Sequence, residues 1–387
     1  MINLRSPEFV EDPYPSYARL REQDPVCFVE SLGAWLATRY EDVKLVLTDP
    51  RFGKQGAPPV NPLAQTIGDL PPSMLFLDPP DHTRLRALVN KAFTPRVVHD
   101  LRPRIEGISA SLLDDAAGQG GMDVVQDFAF PLPAMVIAEL LGVPTTDRER
   151  FKAWTVRVAQ SLDGTQSEDV KREGVHAMQE LADYFAALVA RRRSHPRDDL
   201  VSALVGVEAA GERLGSGELL SMCVILLGAG HETTTNLIAN GVLALLEHPR
   251  QMRIVREAPD RIEDAIEELL RYDSPVQRVL RVARAPVDLA GQGIDAGQIV
   301  FASIAAANRD PAVFEDPDRL DVTRHPNPHL AFSRGIHFCL GAPLARLEGA
   351  VAFSTLLQRF GRLQLDGAVE RSPNTVLRGL RHLPVRI

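Results

Sequence analysis

Cysteine is scarce in this sequence: three residues in 387, Cys27, Cys223 and Cys339, widely spaced and with no Cys-x-x-Cys pair. An odd, scattered set excludes a disulfide framework and suits a reducing cytoplasm. Positive charge is also in deficit, with a formal net charge of -8. That argues against non-specific attraction to nucleic acid or to an anionic membrane surface. The start, "MINLRSPEFVEDPYPSYARL", has charges and prolines where a signal peptide needs an apolar core. No Ser/Gly linker, low-complexity tract or fixed-period repeat occurs, so the expectation is one large folded unit over 1–387 rather than the two or three domains that length suggests.

What is present is helical periodicity. Apolar spacing and turn residues predict helices near 14–23, 41–48, 81–93, 97–117, 131–141, 147–162, 168–193, 216–247, 260–272 and 343–360. Strand-like pieces are "VCFV", "AWLATR", "VDLAG", "QIVFAS" and the tail "LPVRI". The fold class is mainly α with small antiparallel β-sheets. Residues 55–80 form a Pro- and Gly-rich connection, long enough to be functional or disordered. The basic run "RRRSHPR", 191–197, reads as a solvated helix end.

Three stretches carry chemistry. The first is Glu218–His248, about 30 residues and so on the order of 45 Å as a helix. Its flanks are apolar, yet Gly230, His231, Glu232, Thr233, Thr234, Thr235 and Asn236 sit in its centre. Thr233 lies one turn from Ala229, whose carbonyl it can engage, opening a notch beside Gly230. A carboxylate beside a hydroxyl there suits a proton relay, although a polar kink facing water is an equal alternative. The second is "EELLR", which places Glu268 and Arg271 on one helix face; alone, that is an ordinary exposed pair. A second Glu-x-x-Arg, Glu247 to Arg250, is interrupted by Pro249.

The third is "AFSRGIHFCLG", Ala331 to Gly341. Gly335 and Gly341 permit close backbone approach or positive φ around Cys339. Pro343 marks a helix start just beyond, whose dipole and free N–H groups would stabilise a thiolate. Zinc competes, since His325, His329 and His337 are near, but the spacings match no usual Cys/His pattern. A nucleophilic thiol could use His337 as a base. A buried structural thiol would explain neither the helix start nor the glycines.

Together these stretches resemble the soluble bacterial cytochrome P-450 superfamily. "FSRGIHFCLG" is similar to its haem-binding signature at Phe332, Gly335, His337, Cys339 and Gly341, with Ser333 where the family usually has glycine. "AGHETT" resembles the oxygen-activating motif, "EELLR" the Glu-x-x-Arg motif, and "DPPDHTRLRALVNKAFTP" the haem-facing helix. The resemblance implies a haem b, lodged between the long helix and the helix after the cysteine loop, with Cys339 as axial iron ligand. It implies His82, Arg86, Arg281 and His337 as propionate partners, and a buried clamp of Glu268, Arg271 and Arg319, with Arg324 the substitute for Arg319. Ala229 and Gly230 would lie close to the haem face; Thr233 would hold dioxygen and Glu232 relay protons. Leu75, Phe76, Ile225, Gln277, Val279, Val376 and Leu377, with parts of 151–180, would face a small apolar organic substrate. The activity implied is a cytoplasmic, monomeric monooxygenase of secondary metabolism. It uses dioxygen and takes electrons from NAD(P)H through a ferredoxin system that docks on Lys91, Arg96, Arg334 and Arg346. A peroxide-driven oxygenase or haem isomerase, and a haem sensor or electron carrier, are the alternatives.

Overall fold

Caps and prolines set most helix boundaries. In the computed structural model, which describes residues 2–56, 71–118, 120–161, 167–209 and 214–387, Ser167 caps the helix Glu168–Ser194 by accepting from the Val170 N–H. Glu168 and Asp169 occupy its first turn and Arg191 to Arg193 its last, matching the helix dipole. The helix expected at 97–117 is two helices, Pro95–Asp100 and Arg102–Ala117. Pro103 cannot donate a hydrogen bond inside a helix, and it starts the second one instead. Pro249 likewise opens Pro249–Glu257 after the long helix ends at Glu247, so Glu247 and Arg250 share no helix. The helix Leu200–Ala209, the strand Val279–Ala283 and a π-helical segment at Val124–Ala129 have no counterpart among the sequence expectations.

Spatial proximity divides the chain into two compact units, 1–57 with 109–129 and 233–387, and 58–108 with 130–232. The first contains the sheets. Five strands lie in the order Val26–Val29, Ala34–Ala37, Ile299–Ala302, Val279–Ala283, Phe52–Gly53. The Ala34–Ala37 and Ile299–Ala302 pairing is parallel; the other three are antiparallel. Tyr40, Val43, Ile304 and Phe314 are buried in one cluster with Val300 of this sheet. The C-terminal strand Pro384–Arg386 pairs antiparallel with both Gly121–Asp123 and Gln364–Leu365.

The second unit is helical. Arg148–Ser161 packs along Glu168–Ser194, with Phe151 and Phe185 edge to face at 6.1 Å and the Trp154 indole donating to Glu180 at 2.9 Å. The basic run at 191–197 is not uniformly solvated: Arg192 is buried, bonded to Asp199 at 2.5 Å and to the Gly142 carbonyl at 2.8 Å. A buried guanidinium needs such partners. Among the described residues no helix is long and apolar enough to cross a membrane. Most of the connection at 55–80 (57–70), and 162–166 within the expected substrate region, lie outside the described residues.

Candidate functional site

The cysteine loop is a tight chain reversal closed on itself. Cys339 N–H donates to the Phe332 carbonyl at 2.9 Å, Phe338 N–H to Gly335 at 3.1 Å, and Ser333 N–H to Leu330 at 2.7 Å. Gly335 has φ +71°, and a Cβ there would sit 2.7 Å from the Leu47 carbonyl oxygen, so only glycine fits. Ser333 has φ +63°. The glycine usual in the family is thus a backbone requirement, and the serine adopts the left-handed conformation at a cost. Its hydroxyl is buried without a hydrogen-bond partner among the described residues, so no local bond offsets the strain. Three residues beyond Cys339 the helix Ala342–Arg359 begins, with proline in its first turn as expected. No group of three His, Cys, Asp or Glu side chains is arranged to hold a metal ion among the described residues.

Beneath the loop lies the helix Ile262–Tyr272. Glu268 and Arg271 are fully buried and bonded twice, at 2.7 and 2.8 Å. The third member of the clamp corrects the sequence expectation. Arg324, not Arg319, reaches Glu268, with Nε at 3.1 Å from Oε2. The Arg319 side chain is 62% exposed beside Asp321, and only its backbone carbonyl contributes, accepting from Arg271 at 3.2 Å. Asn327 and the Asp321 N–H complete the donors to Glu268. Arg271 also donates to the Asn308 carbonyl at 2.9 Å; the Asn308 side chain accepts from Leu330 N–H at 2.7 Å, two residues before Phe332. A line of hydrogen bonds therefore runs from clamp to cysteine loop.

Glu267, next in the same helix, serves the loop from its other side and was not singled out by the sequence. Arg346 donates to it twice at 2.7 Å, and His329 Nε2 lies 3.1 Å away. Because Ala331 N–H donates to His329 Nδ1, the ring proton sits on Nε2 and points to Glu267. Burial alone would raise the Glu267 pKa, but these hydrogen bonds and the Arg346 charge outweigh it and hold it at about 2. Arg346 also covers the Phe332 ring at 4.5 Å. Glu267, His329, Phe332, Arg334, Phe338 and Arg346 are among the lining of an open pocket of about 410 Å³. Arg346, expected as a free docking charge, is therefore paired, whereas Arg334 is exposed, as are Ile336 and Phe338.

The long helix Ser216–Glu247 is α-helical without a break, so the expected notch does not interrupt it. Its middle nevertheless presents an accessible face: Ala229 is exposed and Gly230, Glu232 and Thr233 half-buried, whereas Leu227, His231 and Thr234 are buried. His231 is turned inward to the Phe130 carbonyl at 3.2 Å, and burial lowers its pKa to about 4, keeping it neutral. A Cβ at Gly230 would meet Ile137 at 3.6 Å. Thr233 belongs to the first unit with Arg281, His337 and Cys339; His82, Arg86, Ala229, Gly230 and Glu232 belong to the second. Arg281, in the central sheet, is buried and donates to the Leu280 carbonyl at 2.9 Å. His82 is buried in the helix Asp81–Ala92, and Arg86, one turn on, bonds Asn90 at 3.2 Å. Of the expected substrate contacts, Leu75 and Val376 are exposed, Phe76, Val279 and Leu377 half-buried and Ile225 buried. Gln277 is 2% exposed, with its amide donating to the Ser274 carbonyl at 2.8 Å.

Comparison with known proteins agrees with the motifs. The family model "Cytochrome P450" matches residues 26–382. The chain is 44% identical to "Cytochrome P450 CYP107DY1" of Priestia megaterium, over 99% of this chain and 98% of that one. It is 43% identical to a "Vitamin D(3) 25-hydroxylase" of Pseudonocardia autotrophica, over 99% and 96%. The crystal structure of P450BioI in complex with an acyl carrier protein carrying hexadec-9Z-enoic acid superimposes with a TM-score of 0.91 at 41% identity, covering 99% of this chain and all of that one. The loop, the clamp and these matches lead to one conclusion: the chain belongs to the cytochrome P450 family of haem-carrying oxidoreductases.

Proposed function

We propose that the chain holds haem b through Cys339 and inserts one oxygen atom of dioxygen into an apolar organic substrate, by hydroxylation or epoxidation. Electrons originate on NAD(P)H and arrive through a ferredoxin and its reductase. The observation that carries this reading is the cysteine loop, closed by the Cys339 to Phe332 hydrogen bond and seated on a fully buried clamp. A sulfur so fixed at the start of an 18-residue helix suits a thiolate. When bound, the haem supplies the oxygen-activating chemistry, to which a thiolate ligand contributes electron density.

The donor set fits that group. Arg281 and His82 are buried donors, His337 is half-buried within the loop, and Arg86 stands one turn from His82; cations and N–H donors are what two propionates require. On the oxygen side, Thr233 offers a hydroxyl and Glu232 moves protons toward it from the accessible face of the long helix. His231, buried and neutral, takes no part in that transfer and fixes the helix at the Phe130 carbonyl. The substrate meets apolar walls from Leu75, Phe76, Ile225, Val279, Val376 and Leu377. The named vitamin D substrate of one relative and the fatty acyl chain of another structure support an apolar class. An acidic ferredoxin meets Lys91, Arg96 and Arg334, which are exposed, while Arg346 stays with Glu267.

The test is the carbon monoxide difference spectrum of the reduced holoprotein. A thiolate-type band is expected in the native chain and its loss in Cys339→Ser; a native protein lacking that band overturns the assignment.

A further inference from the structure

Val376 and Leu377 form an apolar tip in the connection between the strands Glu370–Arg371 and Leu380–His382. Apolar packing does not hold that tip in place, since Val376 is exposed and Leu377 only half-buried. Hydrogen bonds do. On one side the Gln277 N–H donates to the Val376 carbonyl at 2.9 Å and the Arg378 N–H to the Pro275 carbonyl at 2.8 Å. Buried Arg278 adds bonds to the Thr375 carbonyl and hydroxyl at 2.7 and 2.8 Å. On the other side Asn240 of the long helix donates to the Arg378 carbonyl at 3.0 Å. A Cβ at Gly379 would run into the Asn236 side chain, so the loop lies directly on that helix.

The buried Arg378 side chain ties this loop to a distant stretch of the chain. Its Nη1 donates to the Val10 carbonyl at 2.7 Å, its Nη2 to the Glu11 carbonyl at 2.8 Å and its Nε to Asp273 at 2.7 Å. The same Asp273 oxygen accepts from the Tyr14 hydroxyl at 2.7 Å. Burial disfavours the Asp273 carboxylate, but the Arg378 and Arg371 charges outweigh it and lower its pKa, so the pair is ionised. A guanidinium whose three nitrogens all meet fixed acceptors has one low-energy orientation, and a shift of residues 10–14 carries the tip with it.

We propose that Arg378 is a positioning residue for substrate selectivity: it fixes the apolar tip Val376–Leu377 against residues 10–14, so that a segment outside the substrate wall sets where that wall stands. The inference rests on the substrate-facing role given above to Val376 and Leu377.

The experiment measures, on the holoenzyme, the affinities of imidazole and of the bulky azole clotrimazole from the shift of the haem absorption band, together with backbone amide exchange over 374–379. The variants are Tyr14→Phe, Arg378→Lys and Leu377→Ala, and each of the first two combined with Leu377→Ala. Arg378→Lys is expected to change the clotrimazole-to-imidazole affinity ratio by about threefold or more, and Tyr14→Phe less and in the same direction. Imidazole, too small to reach the tip, should bind as in the native chain, and amide exchange over 374–379 should quicken in both variants. In the Leu377→Ala background neither substitution should change the ratio further. A ratio and an exchange rate that stay native in Tyr14→Phe and Arg378→Lys overturn the proposal, as does a lowered melting temperature with the ratio unmoved; Tyr14→Phe decides alone where Arg378→Lys fails to fold. A ratio change that persists undiminished in the Leu377→Ala background also overturns it, because Arg378 then acts elsewhere. A native ratio in Leu377→Ala itself removes the substrate-facing reading, and the selectivity role falls with it; the exchange rates still report whether residues 10–14 hold the loop.

Discussion

The clamp beneath the cysteine loop and the middle of the long helix both place charged or polar groups where apolar ones would be cheaper, and they do so in opposite ways. Around Glu268 every acceptor is matched: two arginines, an asparagine and a backbone N–H converge on one carboxylate. Around Glu232 and Thr233 the side chains are only half-buried, on a helix whose opposite face is sealed by His231 and Thr234. The difference separates rigidity from reactivity. A matched buried network has one low-energy arrangement, whereas groups on an accessible helix face can exchange protons and partners.

That contrast can be broken by substitution. Glu268→Ala has the largest expected effect, because it strands two buried guanidiniums; a loss of about 3–5 kcal/mol follows, seen as a collapse of the unfolding midpoint and poor haem retention. Arg324→Ala removes one charge-assisted bond from the same carboxylate and should cost about 1.5–3 kcal/mol by denaturant titration, while Arg319→Ala, at an exposed side chain, should stay within about 0.5 kcal/mol. A reversed order would restore Arg319 as the clamp's third member. Smaller and opposite in sign, Ser333→Gly should raise stability by about 1 kcal/mol, since it relieves the left-handed φ and removes an unmatched hydroxyl. A neutral or destabilising result would mean the serine is not strained there.

Much of this architecture is legible in the chain itself. Apolar spacing with its flanking polar and turn residues placed the helices Tyr14–Gln23 and Ser216–Glu247 end to end. The loop and the Glu268 and Arg271 pair are legible because their spacings are local. What escaped is decided by folding at a distance. Which arginine of "PDRLDVTR" turns inward depends on how 315–327 coils over Glu268, and Arg319 and Arg324 look alike in sequence. The strand Val279–Ala283 hid because Arg281 interrupts its apolar run just after Arg278, and both arginines are buried, Arg278 with a hydrogen bond to the Thr375 carbonyl far along the chain. Glu267 carries no local mark: it looks like its neighbour Glu268.

The line from Glu268 through Arg271, Asn308 and Leu330 to the Cys339 loop has a mechanical meaning as well. Stiff short links joined in series pass displacement along rather than absorbing it. The sulfur's resting place is in that sense anchored in the helix Ile262–Tyr272, and the loop is the far end of a chain of bonds whose fixed end is the buried carboxylate.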